Sequence, residues 1–195
     1  MRRTIPRLIC AVGLALLAGC ASAPSRFYTL RPTAPPGDGG ASGVAVIVGP
    51  VSIPGAVDRP EFVVQLSQNR VAVDEFNRWA GGLADGIART VAVDLAALLG
   101  SPRVATAPLA NFEPDYRVTI DVQRFETTPG DSTLLDAVWV VRGSGGAKPR
   151  AGRTVARESV EGGDYDALAA AHSRALGKLS ADIAAAIRSE SGGRP

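Results

Sequence analysis

Cysteine is nearly absent from this chain of 195 residues, which holds only Cys10 and Cys20. Cys10 sits in an N-terminal apolar run that reads as removable, so Cys20 would have no thiol to pair with. A disulfide framework, thiol catalysis and a cysteine-based metal site are thereby excluded together. Histidine occurs once, as His172, which falls short of the three or four ligands a zinc site needs. A spanning apolar run is also missing. The longest, from Leu8 to Leu17, would be about 15 Å long as a helix, half the thickness of a bilayer core. A basic surplus is missing as well: residues 1–19 hold three of the 21 basic residues and none of the 19 acidic ones, so without them the net charge is −1. That argues against nucleic acid as a partner, because tracking phosphates requires a cationic excess. With 46% apolar and 21% charged residues, the body of the chain has a globular rather than a disordered composition.

What is present begins with an address. Arg2, Arg3 and Arg7 precede the short apolar run, the pattern of an export signal rather than of a membrane span. Leu17, Ala18, Gly19 and Cys20 follow, and they resemble the bacterial lipobox recognised by lipoprotein signal peptidase. By that resemblance residues 1–19 are a signal peptide. The Cys20 thiol then carries a diacylglycerol and its freed amino group a further acyl chain such as palmitate, an anchor much firmer than a single chain provides. Ala21 follows the cysteine. In Gram-negative lipoproteins an aspartate there favours inner-membrane retention, so alanine implies the periplasmic face of the outer membrane.

Residues 20–43 read as the lipidated N-terminus and a spacer. RPTAPPGDGGASG, residues 31–43, is too rich in Pro and Gly for a fold and as a free coil spans roughly 20 Å. Phe27, Tyr28 and Leu30 before it are either an edge strand packed on the domain or a membrane-proximal contact. Residues 44–188 read as one domain, and 189–195 as a polar, fraying tail. The apolar run Val44 to Val48 is a buried strand stopped by Gly49-Pro50, and 62–66 and 70–73 form a hairpin. Trp79, Leu83, Ile87, Val91, Leu95 and Leu98 make one helical stripe, with an alanine row beside it. In 115–126, Tyr116, Val118, Ile120 and Val122 alternate with polar residues, and the alternation slips at Arg124-Phe125, suggesting a bulge or an end to the pairing there. Residues 134–141 form a central strand, 153–160 an outer one, and Leu168, His172, Leu176, Leu179, Ile183 and Ile187 a second long helix. The fold class is α+β, a mixed and mainly antiparallel sheet covered on one face by two long amphipathic helices.

Chemistry-bearing patterns are sparse. His172 lies on an apolar stripe, where a core histidine with a satisfied nitrogen is the plain reading, and no spacing brings it a nucleophile and an orienting carboxylate. Phosphate-binding glycine loops and calcium loops are missing. The sequence therefore points to no catalytic residue, no metal and no cofactor. A lipid-modifying enzyme acting through His172 is the opposing hypothesis.

The order FYTL (27–30), VGPVSIP (48–54), DRPEFVVQL (58–66), NRWAGGLADGIART (77–90), DYRVTIDVQRFE (115–126) and Trp139 resembles the lipoprotein family of paraquat-inducible protein C. That family is also described as the auxiliary lipoprotein component of ABC-type transport systems. The resemblance implies a non-catalytic accessory role in lipid transport between membranes, beside a periplasm-spanning MCE-domain protein, with a contribution to membrane integrity. A homo-oligomeric ring docking a hollow tube end-on is compatible with it. The docking candidates are Gly49, Pro50, Pro54, Asp58, Arg59 and Pro60 on one loop, with Arg78 and Trp79 beside it, although Trp79 also fits core packing at a helix start. The alternative reading is a structural envelope lipoprotein that tethers or assists another outer-membrane assembly.

Overall fold

The computed structural model describes residues 24–37, 43–146 and 148–191. The signal segment, the lipobox residues Leu17, Ala18 and Gly19, Cys20, residues 38–42 of the expected spacer and the end of the tail lie outside them. In chain order the elements are β1 (Arg26–Tyr28), β2 (Val46–Ser52), β3 (Glu61–Ser67), β4 (Arg70–Trp79), α1 (Leu83–Leu99), β5 (Val104–Thr106), β6 (Tyr116–Thr128), β7 (Ser132–Gly143), β8 (Arg150–Ser159) and α2 (Tyr165–Ser191). The α+β class expected from the sequence is what the structure shows.

The strands form two sheets where one was expected, a five-stranded sheet in the order β5-β2-β6-β7-β8 and a three-stranded sheet in the order β1-β4-β3. Both are mixed. β2 lies parallel to β5 and β6, and β1 parallel to β4, while β6-β7, β7-β8 and β3-β4 are antiparallel. The hairpin does not extend the main sheet because its inward residues Phe62, Val64 and Trp79 are large and buried. They pack onto Phe125 and His172 of the main body, with Trp79 6.2 Å from Phe125 and 6.3 Å from His172 between ring centroids.

Along β6 the buried residues are Tyr116, Val118, Ile120 and Val122. The register with β7 then shifts between Val122 and Arg124, and Phe125 and Thr127 become the buried ones. One extra residue inverts the parity of the strand, so the slip seen in the sequence is a β-bulge. β7 is central between β6 and β8, as its two-sided apolar pattern implied. Gly152 on β8 sits beneath the Trp139 indole, where a Cβ would run into the ring.

Both helices bury the stripes read from the sequence, with one correction. Trp79 belongs to β4 and not to the helix, which starts at Leu83 after Gly81 and caps at Gly82. Two glycines interrupt the helical spacing there, and the Trp79 N–H instead donates to Pro60 O at 2.6 Å. α1 ends at Gly100, whose φ of 60° is the left-handed conformation that glycine adopts without strain. α2 opens after Asp164, whose carboxylate accepts the Ala167 N–H at 2.9 Å. It runs to Ser191, so residues 189–191 are helical rather than frayed.

Residues 31–37 are the second correction. Expected as free spacer, they lie in the groove between α1 and α2. The Arg31 N–H donates to Ser173 Oγ at 3.1 Å, the Thr33 and Ala34 N–H groups to Asp94 Oδ1 at 2.9 Å each, and the Gly37 N–H to Ala97 O at 3.0 Å. Gly177 on α2 makes the room, since a Cβ there would run into Thr33 Oγ1. An extended Pro-rich segment leaves its N–H groups unpaired, and a buried carboxylate on α1 takes them.

Candidate functional site

The three-stranded sheet is joined to the rest of the domain by an aromatic cluster. Phe62 stacks on Trp79 with centroids 4.1 Å apart, and meets Tyr28 and Tyr165 edge-on at 5.5 and 5.2 Å. Beneath it His172 stacks on Phe125 at 3.8 Å, the rings nearly parallel. Offset and edge contacts of this kind add to the burial of large apolar rings. A polar chain closes the joint: Tyr28 Oη donates to Asn77 Oδ1 at 2.8 Å, Asn77 Nδ2 to Asp74 Oδ2 at 3.0 Å, and Tyr165 Oη to the same oxygen at 2.7 Å. Burial acts to raise the Asp74 pKa. The hydrogen bonds from Tyr165, from the Asn77 side chain and from the Asn77 and Phe76 N–H groups outweigh it and hold the carboxyl at about 2. Burial, and then the bond to Asp74, raise the Tyr165 phenol.

His172 is fully buried, as its stripe position implied, and burial pushes its pKa down to about 3. Its Nε2 shares a hydrogen bond with Thr127 Oγ1 at 2.7 Å, and its Nδ1 has no partner. Neutral and walled in by Phe125, it can neither reach a substrate nor change charge near neutral pH. The buried Asp94 is raised by burial despite three hydrogen-bond donors, the Ala34 and Thr33 N–H groups and Ser180 Oγ. Those donors occupy both of its oxygens. Among the described residues no group of three or more His, Cys, Asp or Glu side chains is placed to hold a metal ion, and no helix is long and apolar enough to cross a membrane.

The docking candidates are divided by the structure. Gly49 is buried in β2, which runs on through Gly49-Pro50 to Ser52 instead of stopping there. At Gly49 the φ is 125°, a conformation that favours glycine, and an added Cβ would lie a close 3.3 Å from the Ala107 Cβ. Pro54 heads a turn in which its carbonyl accepts the Val57 and Asp58 N–H groups at 3.0 and 3.2 Å. Asp58, Arg59 and Pro60 follow it, exposed. Asp58 makes no ion pair with Arg59; Arg78 instead pairs with Glu61, Nη2 to Oε1, at 2.7 Å. Arg59, Glu61, Arg78, Val73, Phe76 and Ser25 line an open groove of about 530 Å³. Trp79 is core, 6% exposed, and its edge lines a smaller cavity of about 260 Å³ at the start of α1, together with Tyr28, Leu30 and Arg89.

Sequence reasoning missed the outer face of the small sheet. β-pairing aligns Phe27 with Arg78 and Arg78 with Glu61, and Val73 with Val63, so these side chains share the face opposite the aromatic cluster. Phe27, Val71, Val73 and Phe76 are exposed. The alternation of Val71 and Val73 signalled a strand face, but nothing in it says that the apolar side lies outward.

Comparison with solved structures finds the same fold at low identity. The crystal structure of an uncharacterized protein matches with a TM-score of 0.69 and 18% identity, over 85% of this chain and 99% of that one. A DUF330-family protein from Xanthomonas campestris matches with a TM-score of 0.67 and 17% identity over the same shares. A PelC dodecamer from Paraburkholderia phytofirmans aligns with a TM-score of 0.42 and 17% identity, over 80% of this chain and 94% of that one. No curated protein matches. The family model described as "ABC-type transport auxiliary lipoprotein component" matches residues 28–184.

Proposed function

Because this chain belongs to the family of ABC-type transport auxiliary lipoproteins, we propose that it is a non-catalytic accessory subunit of an MCE-type lipid transport system, anchored at the periplasmic face of the outer membrane. The family match over residues 28–184 carries the reading. That family is one of auxiliary transport components and not a known enzyme family. Three features of the chain support the finer statement. Leu17, Ala18, Gly19 and Cys20 supply a processing and acylation site, and Ala21 supplies no retention signal. Of the buried histidine and carboxylates among the described residues, His172 and Asp94 are enclosed by packing and by backbone donors, and Asp136 is held by Arg153 on both oxygens, so none is in position to act on a substrate.

The match begins at residue 28, the last of β1, and takes in the strap that residues 31–37 form between the helices. The folded unit accordingly extends upstream of residue 44, and the tether is the segment between Cys20 and β1. Of the docking candidates, Asp58, Arg59, Pro60 and Arg78 present accessible chemistry to the MCE-domain partner, while Gly49 and Trp79 act through packing. A ring of copies around the end of a tube remains part of the proposal.

The test is crosslinking in intact envelopes followed by capture of this lipoprotein. Recovery of a periplasm-spanning MCE-domain protein supports the reading. Its absence under conditions that capture other envelope partners contradicts the reading and leaves the structural-lipoprotein alternative.

A further inference from the structure

We infer that the β3–β4 hairpin tip and the adjoining outer face of the three-stranded sheet rest on the lipid surface into which the acyl chains insert. This rests on the acylation of Cys20 proposed above. β1 is parallel to β4, with Arg26 opposite Asn77, Phe27 opposite Arg78 and Tyr28 opposite Trp79. The upstream end of β1 therefore faces back along β4 toward Arg70 and the hairpin tip. Cys20 stands six residues before Arg26, a reach of about 20 Å at most for an extended chain. Arg70 stands seven residues before Asn77 on a strand whose register with β3 shifts twice, so at most about 23 Å separates them along it. The anchor's reach is thus of the same order as the distance to the tip. With residues 31–37 pinned between the helices, no second length of chain can let the domain drift away.

The surface held there has the composition of an interfacial contact. Val71 is 51% exposed and Phe27 64%, and Val73 and Phe76 are exposed with them. On a strand face these would be costly to leave against water, and burying them adds the second membrane contact that acyl chains alone do not supply. Arg70 at the tip is exposed, placed for its guanidinium to meet headgroup phosphates. Arg78 and Glu61 neutralise each other near the far end of the face. Asp58, Arg59 and Pro60 lie at that far end, so one end of β4 meets lipid and the other is left for a protein partner.

The experiment uses the full acylated protein in vesicles of phosphatidylethanolamine and phosphatidylglycerol. Acylation blocks Cys20, so a fluorophore attached at V71C, F76C, D58C or V155C reports one site each, and all four positions are exposed. Nitroxide-labelled lipids are expected to quench the label at 71 at least twofold more than those at 58 and 155, with 76 in between. Equal quenching at all four sites, in protein that still floats with the vesicles, overturns this inference while leaving the anchor intact. Crosslinking between copies through position 71 without lipid quenching assigns the face to a second copy and overturns it too. Protein that does not float removes the anchor, and both readings fall together.

Discussion

Asp94 Oδ1 accepts the backbone N–H of Thr33 at 2.9 Å, which fastens the chain leaving the small sheet to the helix layer. The contact bears on the proposed tether. Residues 31–37, whose composition predicts a free spacer, become part of the rigid body, and only the residues between Cys20 and β1 would separate the domain from the proposed anchor.

Gly177→Ala places a methyl group against Thr33 Oγ1, and we expect it to cost about 1–3 kcal/mol of unfolding free energy. In a Thr33→Ala background most of that cost is expected to vanish, because the nearest remaining Thr33 atom, the Cβ, lies 3.7 Å from the added Cβ, an ordinary contact. Urea unfolding of the two single variants and the double variant measures the coupling. Additive losses would show that the strap does not lie over Gly177.

Asp94 gives a stability that falls as pH rises. Burial raises its folded pKa above the ordinary 3.8, so the folded state holds the proton more tightly than the unfolded chain does, and stability declines from pH 3.8 up through the raised value. Asp94→Asn keeps an acceptor for Thr33 and Ala34 and is expected to flatten that decline. Asp94→Ala is expected to cost about 1–3 kcal/mol at pH 7 and to abolish the hydrogen-exchange protection of the Thr33 and Ala34 amides. Retained protection in Asp94→Ala would contradict the strap.

His172 acts in the opposite sense. Its folded pKa is pushed down to about 3 from 6.5, so protons bind the unfolded chain first. Its contribution to stability is complete above pH 6.5 and is lost as pH falls toward 3, a change on the order of 5 kcal/mol. Asp74, held at about 2, adds a loss of the same sign below 3.8. His172→Gln is expected to be less stable at pH 7 yet to lose much less between pH 6.5 and 4. Partner capture and transport function should both persist in the folded variant, whereas loss of function with folding and capture intact would revive a catalytic role.

The Asp58→Ala, Arg59→Ala double variant is expected to leave stability within about 0.5 kcal/mol, since both residues are exposed, and to weaken capture of the proposed MCE-domain partner. Trp79→Ala removes the ring stacked on Phe62 and is expected to cost about 3–5 kcal/mol. Thermal unfolding and envelope capture, run side by side, separate the two classes of residue. A docking loss confined to Trp79 at unchanged stability would reverse the assignment.

The two long helices are legible because their apolar stripes survive almost unaltered from sequence to burial, and the β6 irregularity because the alternation breaks, although only the pairing that continues to Thr128 tells a bulge from a strand end. Trp79 was misplaced by the same rule: it stands four residues before Leu83, so spacing alone extends the helix over it, and only Gly81 and Gly82 mark the break. The stop read at Gly49-Pro50 failed because the glycine serves the strand, bending β2 past Ala107. Thr33 and Asp94 were invisible together, since the donor is a backbone N–H that no composition records, 61 residues from its acceptor. The exposed Val71 and Val73 face could be read as a strand but not as outward, because that depends on Phe62 and Trp79 claiming the inside.

Intact-mass analysis of the mature protein extracted from envelope membranes tests the account most directly. The account predicts a chain that begins at Cys20 and carries the added mass of three acyl chains, recovered with the outer membrane. An unacylated chain recovered in the soluble periplasmic fraction would contradict it.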